Sequence, residues 1–384
     1  MKVILSVQPV RYPLTGIGRY TLELAGHLAN LSDIEALKLF GEEAFVNETG
    51  KPQEMQSAPA SFVQLLKRRL ARNPFLLEIY RKRVHARRAF ALKGYEDHIY
   101  HGPNYYLPPF GGRSVVTIHD LSVFTMPEHH PKERVSFLRK EVEFALSQAS
   151  MLITDAEFTR HEVANYFGWP IDKIGVATLA GGDDFSPRGK DITAPRLKQY
   201  GLQPGQYSLY AGTIEPRKNL ERLLIAYEKL APAVRARYPL VMAGYKGWAN
   251  EAIMERLDRA IREGWAYYLG FVPDADLPYL FAGARLFVFP SLYEGFGLPV
   301  LEAMASGVPV LTSSSSTLPE VAGGAAAICH PEDIESMTAA LLKGLVDETW
   351  RSSAVELGLS QASKFSWQKC AEETAEVYRK VLQL

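Results

Sequence analysis

Cysteine is scarce in this 384-residue chain, with only Cys329 and Cys370, far apart in sequence. Two distant thiols make neither a disulfide framework nor a zinc site, so both are expected as buried thiols in a fold held by its core. Long apolar runs are missing as well; none approaches the ~18 residues that a membrane-crossing helix needs. The start, MKVILSVQPVR, is a short apolar stretch broken by Gln8, Pro9 and Arg11. It suits a first strand and lacks the apolar region and cleavage site of a secretory signal, which points to the cytoplasm. Excess charge is absent too: 43 Lys+Arg balance 43 Asp+Glu. With no repeat or low-complexity tract either, disorder is excluded and nucleic acid is a weak candidate partner.

What is present is a globular composition, 47% hydrophobic and 22% charged. The chain is longer than the ~250–300 residues at which single cores stop growing, so two domains are expected. Apolar stretches alternate with helical patterns throughout. Strand candidates are Val3–Val7, His98–His101, Val115–His119, Leu152–Asp155 and Gly175–Leu179, then Ser208–Ala211, Leu240–Ala243, Ala266–Leu269, Leu286–Phe289, Val308–Thr312 and Ala325–Cys329. Helical patterns between them include Ile17–Leu28, Glu133–Leu146, Asn219–Leu230 and Asn250–Glu263, with a last one over Trp367–Val381. A strand-then-helix rhythm argues for α/β domains with parallel sheets, and the polar stretch Asp183–Gln199 marks a boundary between two doubly wound, Rossmann-like units over 1–190 and 191–365. Ligands of such sheets bind beyond the carboxyl ends of the strands.

The balanced charge is unevenly placed. Between Lys67 and Arg88 stand nine basic residues, Lys67, Arg68, Arg69, Arg72, Arg81, Lys82, Arg83, Arg87 and Arg88, against the single Glu78. Leu70, Phe75, Leu76, Leu77, Ile79 and Tyr80 lie among them. Such a strip is either a solvated helix face or a dock for anionic lipid, where each cation contributes about 1 kcal/mol.

The most informative segment is Pro290–Pro309, PSLYEGFGLPVLEAMASGVP. It places Glu294 in a glycine-rich loop and Glu302 on the helix that follows, after the buried strand ending at Phe289, and Pro299 suits a first helical turn. Backbone N–H groups of Gly295, Phe296, Gly297 and Leu298 at that helix start can hold a phosphate or sugar hydroxyl, while a carboxylate one or two turns along accepts hydrogen bonds from a ribose. In Gly212–Asn219, a strand-end glycine is followed by Arg217 and Lys218, able to neutralise a diphosphate. Gly16 and Gly18 follow the first strand at a helix start, but Thr21 stands where a dinucleotide fingerprint would have its third glycine. The pair either approaches a phosphate or acceptor or makes a tight loop. His119, at a strand end beside Asp120, either meets a sugar or is packed; His101 has the same two readings. Asp274 and Asp276 resemble a metal-binding D-x-D, but helix capping ahead of Leu277 explains them without a metal.

Together these motifs resemble the retaining nucleotide-sugar glycosyltransferases of family four. The resemblance rests on Glu294-x7-Glu302 within PS-x-x-EGFGLP-x-x-EAMA-x-G-x-P, on the run from Gly212 to Asn219, on the Gly16/Gly18 loop and on His119-Asp120. It implies a GT-B fold of two Rossmann-like domains facing across a cleft, with 366–384 crossing back onto the first as a helix. It implies that Glu302 binds the ribose, Arg217 and Lys218 the diphosphate, and Glu294 with Gly295 to Leu298 the donor sugar. His119 then lies near that sugar, Gly16, Gly18 and Gly212 near the donor, and neither metal nor cofactor is required. Many members carry a small hydroxyl residue where this chain has Ala156. The general look is similar to bacterial mannosyltransferases of O-antigen and related polysaccharides. This implies GDP-mannose as donor; if the strip Lys67–Arg88 docks on anionic lipid, the acceptor is a saccharide or lipid-linked saccharide and the place is the inner face of the cytoplasmic membrane. The alternatives are a nucleotide-sugar epimerase of the same architecture and a transferase using a UDP- or ADP-sugar.

Overall fold

A computed structural model describes residues 1–12, 14–47 and 74–384. Two sheets organise them. The first contains β1 (Lys2–Ser6), β2 (Ala36–Phe40), β3 (Phe45–Val46), β4 (Ile99–Gly102), β5 (Arg113–Ile118), β6 (Met151–Thr154) and β7 (Ile174–Val176) in the order β3-β2-β1-β4-β5-β6-β7. Its pairs are parallel except β3 on β2. The second contains β8 (Ser208–Ala211), β9 (Leu240–Ala243), β10 (Ala266–Gly270), β11 (Leu286–Phe289), β12 (Val310–Ser313) and β13 (Ala327–Cys329), all parallel, in the order β10-β9-β8-β11-β12-β13. Helices connect most successive strands, loops joining β2 to β3 and β4 to β5, and the central strands are buried and read as apolar runs, as in Val115, Val116 and Ile118 or Leu286 to Phe289.

Strand order reverses between β1 and β4 in the first sheet and between β8 and β11 in the second. At such a switch point the connections leave to opposite faces, which opens a crevice beyond the strands' carboxyl ends. Both sheets therefore have one place where a ligand fits.

By packing, the chain divides into two compact units: Met1–Pro127 with Pro131–Thr178 and Trp367–Leu384, and Leu179–Ser366 with Glu128–His130. The change of unit at Leu179 comes earlier than the polar stretch suggests. Leu179, Ala180 and Phe185 are buried, and the Phe185 ring meets Phe281 edge-on at 5.1 Å. The terminal helix Trp367–Gln383 lies on the first unit: Val377 sits where a Cβ on Gly175 would come within 2.3 Å of it, and Glu373 accepts from the Thr178 backbone and hydroxyl at 2.8 and 3.0 Å. β2 and β3 are not apparent from sequence, because Ala36–Phe40 is half-exposed and its neighbour β3, at the sheet edge, has two residues. Helices Ile334–Val346 and Glu348–Ala362 are not apparent from sequence either, although Asp333 and Asp347 cap them.

Both cysteines are buried thiols. Among the described residues no helix is long and apolar enough to cross a membrane. Of the basic strip, Lys67, Arg68, Arg69 and Arg72 lie outside the described residues, and the rest fall on the helix Pro74–Ala91.

Candidate active site

The switch point of the second sheet carries a buried cluster of charge. β8 ends at Ala211, and the chain turns through Gly212 (φ +154°) into the short helix Pro216–Lys218. Asn219, left-handed at φ 60°, ends that turn and donates to the Pro290 and Pro331 carbonyls at 3.1 and 2.6 Å, so the β8 loop is tied to the end of β11. From β11 the chain enters Ser291–Gly297. Gly297 (φ +113°) opens the helix Leu298–Ala305, and a Cβ there would be strained and only 2.9 Å from Leu318. Thr317 holds the loop from outside, its hydroxyl donating to the carbonyls of Glu294 and Phe296 at 3.0 and 2.8 Å.

These two loops bring Arg217, Lys218 and Glu294 together. Lys218 Nζ donates to Glu294 Oε1 at 2.6 Å and Arg217 Nη1 to Oε2 at 3.1 Å, while the Glu294 N–H donates to Ser316 Oγ at 2.8 Å. Arg217 also reaches Glu215 at 2.9 Å and the Tyr293 carbonyl at 2.5 Å. Burial alone would raise the Glu294 pKa, but the charges of Lys218 and Arg217 outweigh it and hold the carboxyl at about 2. Burial and the neighbouring Arg217 draw Lys218 downward. Two cations thus stand opposite two carboxylates, and four exchangeable charges surround one loop. Glu215 carries no motif signal and is visible only in three dimensions.

Glu302 is on the following helix, half-buried beside Gly181. Gly16 and Gly18 form the first turn of the helix Gly16–Leu28; Gly18 N–H is already bonded to Thr15 Oγ1 at 3.2 Å, and a Cβ on Gly18 would meet the Pro9 carbonyl. The tight-loop reading accounts for Gly18. Asp276 departs from the capping expectation. It stands at the N-cap of Leu277–Ala282 without a capping hydrogen bond, and accepts instead from Tyr200 at 2.7 Å and Gln199 at 3.2 Å.

The switch point of the first sheet opens into a cavity of about 200 Å³, lined among others by Ser6, Gln8, Arg11, Arg88, Pro103 and Asn104. His119, at the end of β5, is buried behind it with both ring nitrogens engaged, Nδ1 with Asp155 Oδ2 at 2.7 Å and Nε2 with the Pro103 carbonyl at 2.8 Å. Neither nitrogen is open to a ligand in this arrangement. Burial would lower the His119 pKa, but Asp155 outweighs it and raises it. His101 is packed, between Tyr378 at 2.7 Å and Thr117 at 2.8 Å, and burial takes it down to about 3. Ala156 is the uncapped N-cap of the helix Glu157–Phe167.

Known proteins resemble this chain in sequence and in fold. A family profile, that of the glycosyl transferases group 1, matches residues 198–361. Over 379 residues, 99% of this chain and 100% of the relative, the chain is 46% identical to O-antigen chain mannosyltransferase B of Escherichia coli. It is 34% identical over 286 residues to the serotype-specific mannosyltransferase WbdA of Escherichia coli, covering 71% of this chain and 34% of that one. Among solved structures, sucrose-phosphate synthase from Thermosynechococcus elongatus superposes with a TM-score of 0.71 at 18% identity, over 100% of this chain and 99% of that one. Anabaena HepE, in complex with UDP and glucose, gives 0.68 at 15% identity over 99% of each chain. At these identities the structural likeness is one of fold, and the fold is GT-B.

Proposed function

The chain belongs to the glycosyl transferases group 1 family and is a glycosyltransferase; from that premise we propose that it moves mannose from GDP-mannose to a saccharide or lipid-linked saccharide, with retention at the anomeric carbon. The observation that carries this reading is the cluster of Arg217, Lys218 and Glu294 at the β8/β11 switch point. The near full-length relative named as an O-antigen mannosyltransferase favours mannose as the sugar and a growing cell-surface polysaccharide as the acceptor.

In the transfer, the acceptor oxygen forms a bond to the anomeric carbon while the bond from that carbon to the diphosphate breaks, and the leaving diphosphate takes the acceptor's proton. Negative charge grows on the leaving group, where Arg217 and Lys218 stabilise it together with the helix start at Gly295 to Leu298. Each well-placed donor of this kind is worth about 3 kcal/mol. Both cations are bonded to carboxylates, so the diphosphate competes with Glu294 and Glu215 for them, and Glu294 turns toward the sugar hydroxyls as it is released. Glu302, on the same helix, takes the ribose. Gly212 lets backbone approach the phosphates at the end of β8, and Gly16, exposed at its helix start, leaves room for a ligand there. Neither metal nor cofactor has a part in this scheme.

The cavity at the first switch point is the acceptor's place, large enough for one sugar ring with Arg11 and Arg88 at its rim. The helix Pro74–Ala91 adds a membrane contact on the cytoplasmic side. Arg81 and Arg88 turn inward, to Glu141 at 3.5 Å and Gln8 at 3.0 Å, whereas Lys82, Arg83 and Arg87 are exposed on one face between exposed Ile79 and Phe90. Cations between two apolar anchors suit an anionic bilayer surface.

The test is a panel of GDP-, UDP-, ADP- and dTDP-hexoses incubated with lipid-linked and simple saccharides. Product is weighed by mass spectrometry, and its anomeric configuration is read by NMR. A mannoside of retained configuration from GDP-mannose alone is expected; a product made only from another donor, or of inverted configuration, overturns that part. Reversing Lys82, Arg83 and Arg87 to Glu is expected to abolish sedimentation with anionic vesicles at moderate salt, and unchanged sedimentation removes the membrane contact.

A further inference from the structure

We propose that Asp155 is a positioning residue for the acceptor: it keeps His119 as a two-proton imidazolium, which pins the Pro103 carbonyl and so fixes the Pro103–Asn104 wall of the cavity. This rests on the reading of that cavity as the acceptor's place.

The hydrogen-bond geometry fixes the first proton, on Nε2. A carbonyl oxygen only accepts, so the 2.8 Å contact with Pro103 requires a proton on Nε2. Asp155 Oδ2 lies 2.7 Å from Nδ1, while Oδ1 is buried and without a hydrogen-bond partner. The carboxylate is 1% exposed, and among the described residues its charge is compensated by the His119 ring and by no other hydrogen-bonding group. Burial opposes charge on both groups, but the Asp155 charge and the two ring hydrogen bonds raise the His119 pKa, so Nδ1 gains its proton and both N–H groups donate.

The surroundings leave that charge on His119. Tyr20, from the helix Gly16–Leu28, and Tyr105 meet the ring edge-on at 5.2 and 5.8 Å. Asp120 adds a second negative charge nearby. His101 on β4 is held neutral at about 3. From the terminal helix, Cys370 faces Asp155, and burial raises the pKa of Cys370, Tyr378 and Tyr20 alike, keeping them neutral.

The output of this pair is the wall it holds. Pro103 and Asn104 both line the cavity, and the buried Asn104 Oδ1 has no partner. An amide side chain on the wall of a sugar-sized cavity suits a hydroxyl of the incoming saccharide. His119 then never serves as a base, since its two protons are both in use.

The experiment is imidazole 15N NMR on the full chain, with kinetics of Asp155→Asn and Asn104→Ala. In the wild type His119, assigned by its loss in His119→Gln, is expected to show two protonated nitrogens above neutrality, and Asp155→Asn one. Asparagine can keep the geometry while removing the charge. Acceptor KM for Asp155→Asn is therefore expected to rise about five- to tenfold near pH 8, the difference between a charged and a neutral hydrogen bond, and to recover toward about pH 6 as the ring regains its proton. Donor KM should change less than acceptor KM. A one-proton His119 in the wild type overturns the proposal even where the variant fails to fold, and so does an unchanged acceptor KM near pH 8. Two protons on His119 together with an unaltered acceptor KM in Asn104→Ala would instead sink the acceptor reading beneath it.

Discussion

Each sheet buries a carboxylate at its carboxyl end, and the two are treated in opposite ways. Glu294 has both oxygens held, by Lys218 and Arg217, and its pKa falls to about 2. Asp155 has one oxygen held by His119 and the other orphaned, and burial raises its pKa against the pull of that single partner. Burial pushes both carboxyls upward, and the number of cationic partners decides the sign. The difference fits two tasks. A cluster of two cations and two carboxylates can exchange partners when an anionic ligand arrives, whereas a one-to-one pair has nothing to exchange and can only hold its neighbours still.

The sharpest way to break this contrast is to remove one exchangeable cation. Arg217→Ala is expected to lower kcat/KM by about 10²–10³, the usual cost of one donor to a developing negative charge. Lys218 remains, so Glu294 keeps a partner and the protein should stay folded by circular dichroism. A loss below about tenfold, or ~1.4 kcal/mol, would mean that Arg217 serves structure alone.

Acid titration separates the two carboxylates by sign. Glu294 has a folded pKa far below its ordinary 4.5, so its contribution is fully present above that value and lost as pH falls toward about 2. The shift corresponds to about 3 kcal/mol. Asp155 runs the other way: its folded pKa is raised, so its contribution is present at low pH and lost as pH rises through that pKa. Urea unfolding followed from pH 5 downward should therefore show Glu294→Gln flattening the acid limb and Asp155→Asn leaving it at least as steep. Equal flattening by both variants would remove the distinction.

The two regions also differ in how much the sequence reveals. The second sheet's strands are nearly uniform apolar runs closed by glycine or proline, so Leu286–Phe289 and Leu240–Ala243 are readable to the residue, and Glu294, Arg217 and Lys218 sit within dense local motifs. The pairing of Arg217 with Glu215 is not readable, because an acid two residues from a base ordinarily points to water. In the first unit the partners are remote. His119 and Asp155 are 36 residues apart, and His119 and Pro103 are 16 apart. Only the register of β5 with β6 and β4 brings them side by side. The acid at the end of Leu152–Asp155 was the available signal, since a charged residue closing a buried strand needs a partner. β2, next to the sheet edge, is not legible because half-exposed positions dilute its pattern.

The smallest effect concerns the helix that starts just after Asp155. Ala156 occupies its N-cap with extended backbone, φ −151° and ψ 157°, but has no oxygen to accept from the first-turn N–H groups. A hydroxyl at this position would close the helix beside the pair without touching it. Ala156→Ser is expected to raise the unfolding free energy of the first unit by about 1 kcal/mol in urea titration, as N-cap serines do. The residue is fully buried, so the added atom must find a partner there. If the variant is less stable than the parent, the packing around the Asp155 pair leaves no room for the cap, and the rigidity ascribed to this end of the first sheet is greater than its hydrogen bonds alone require.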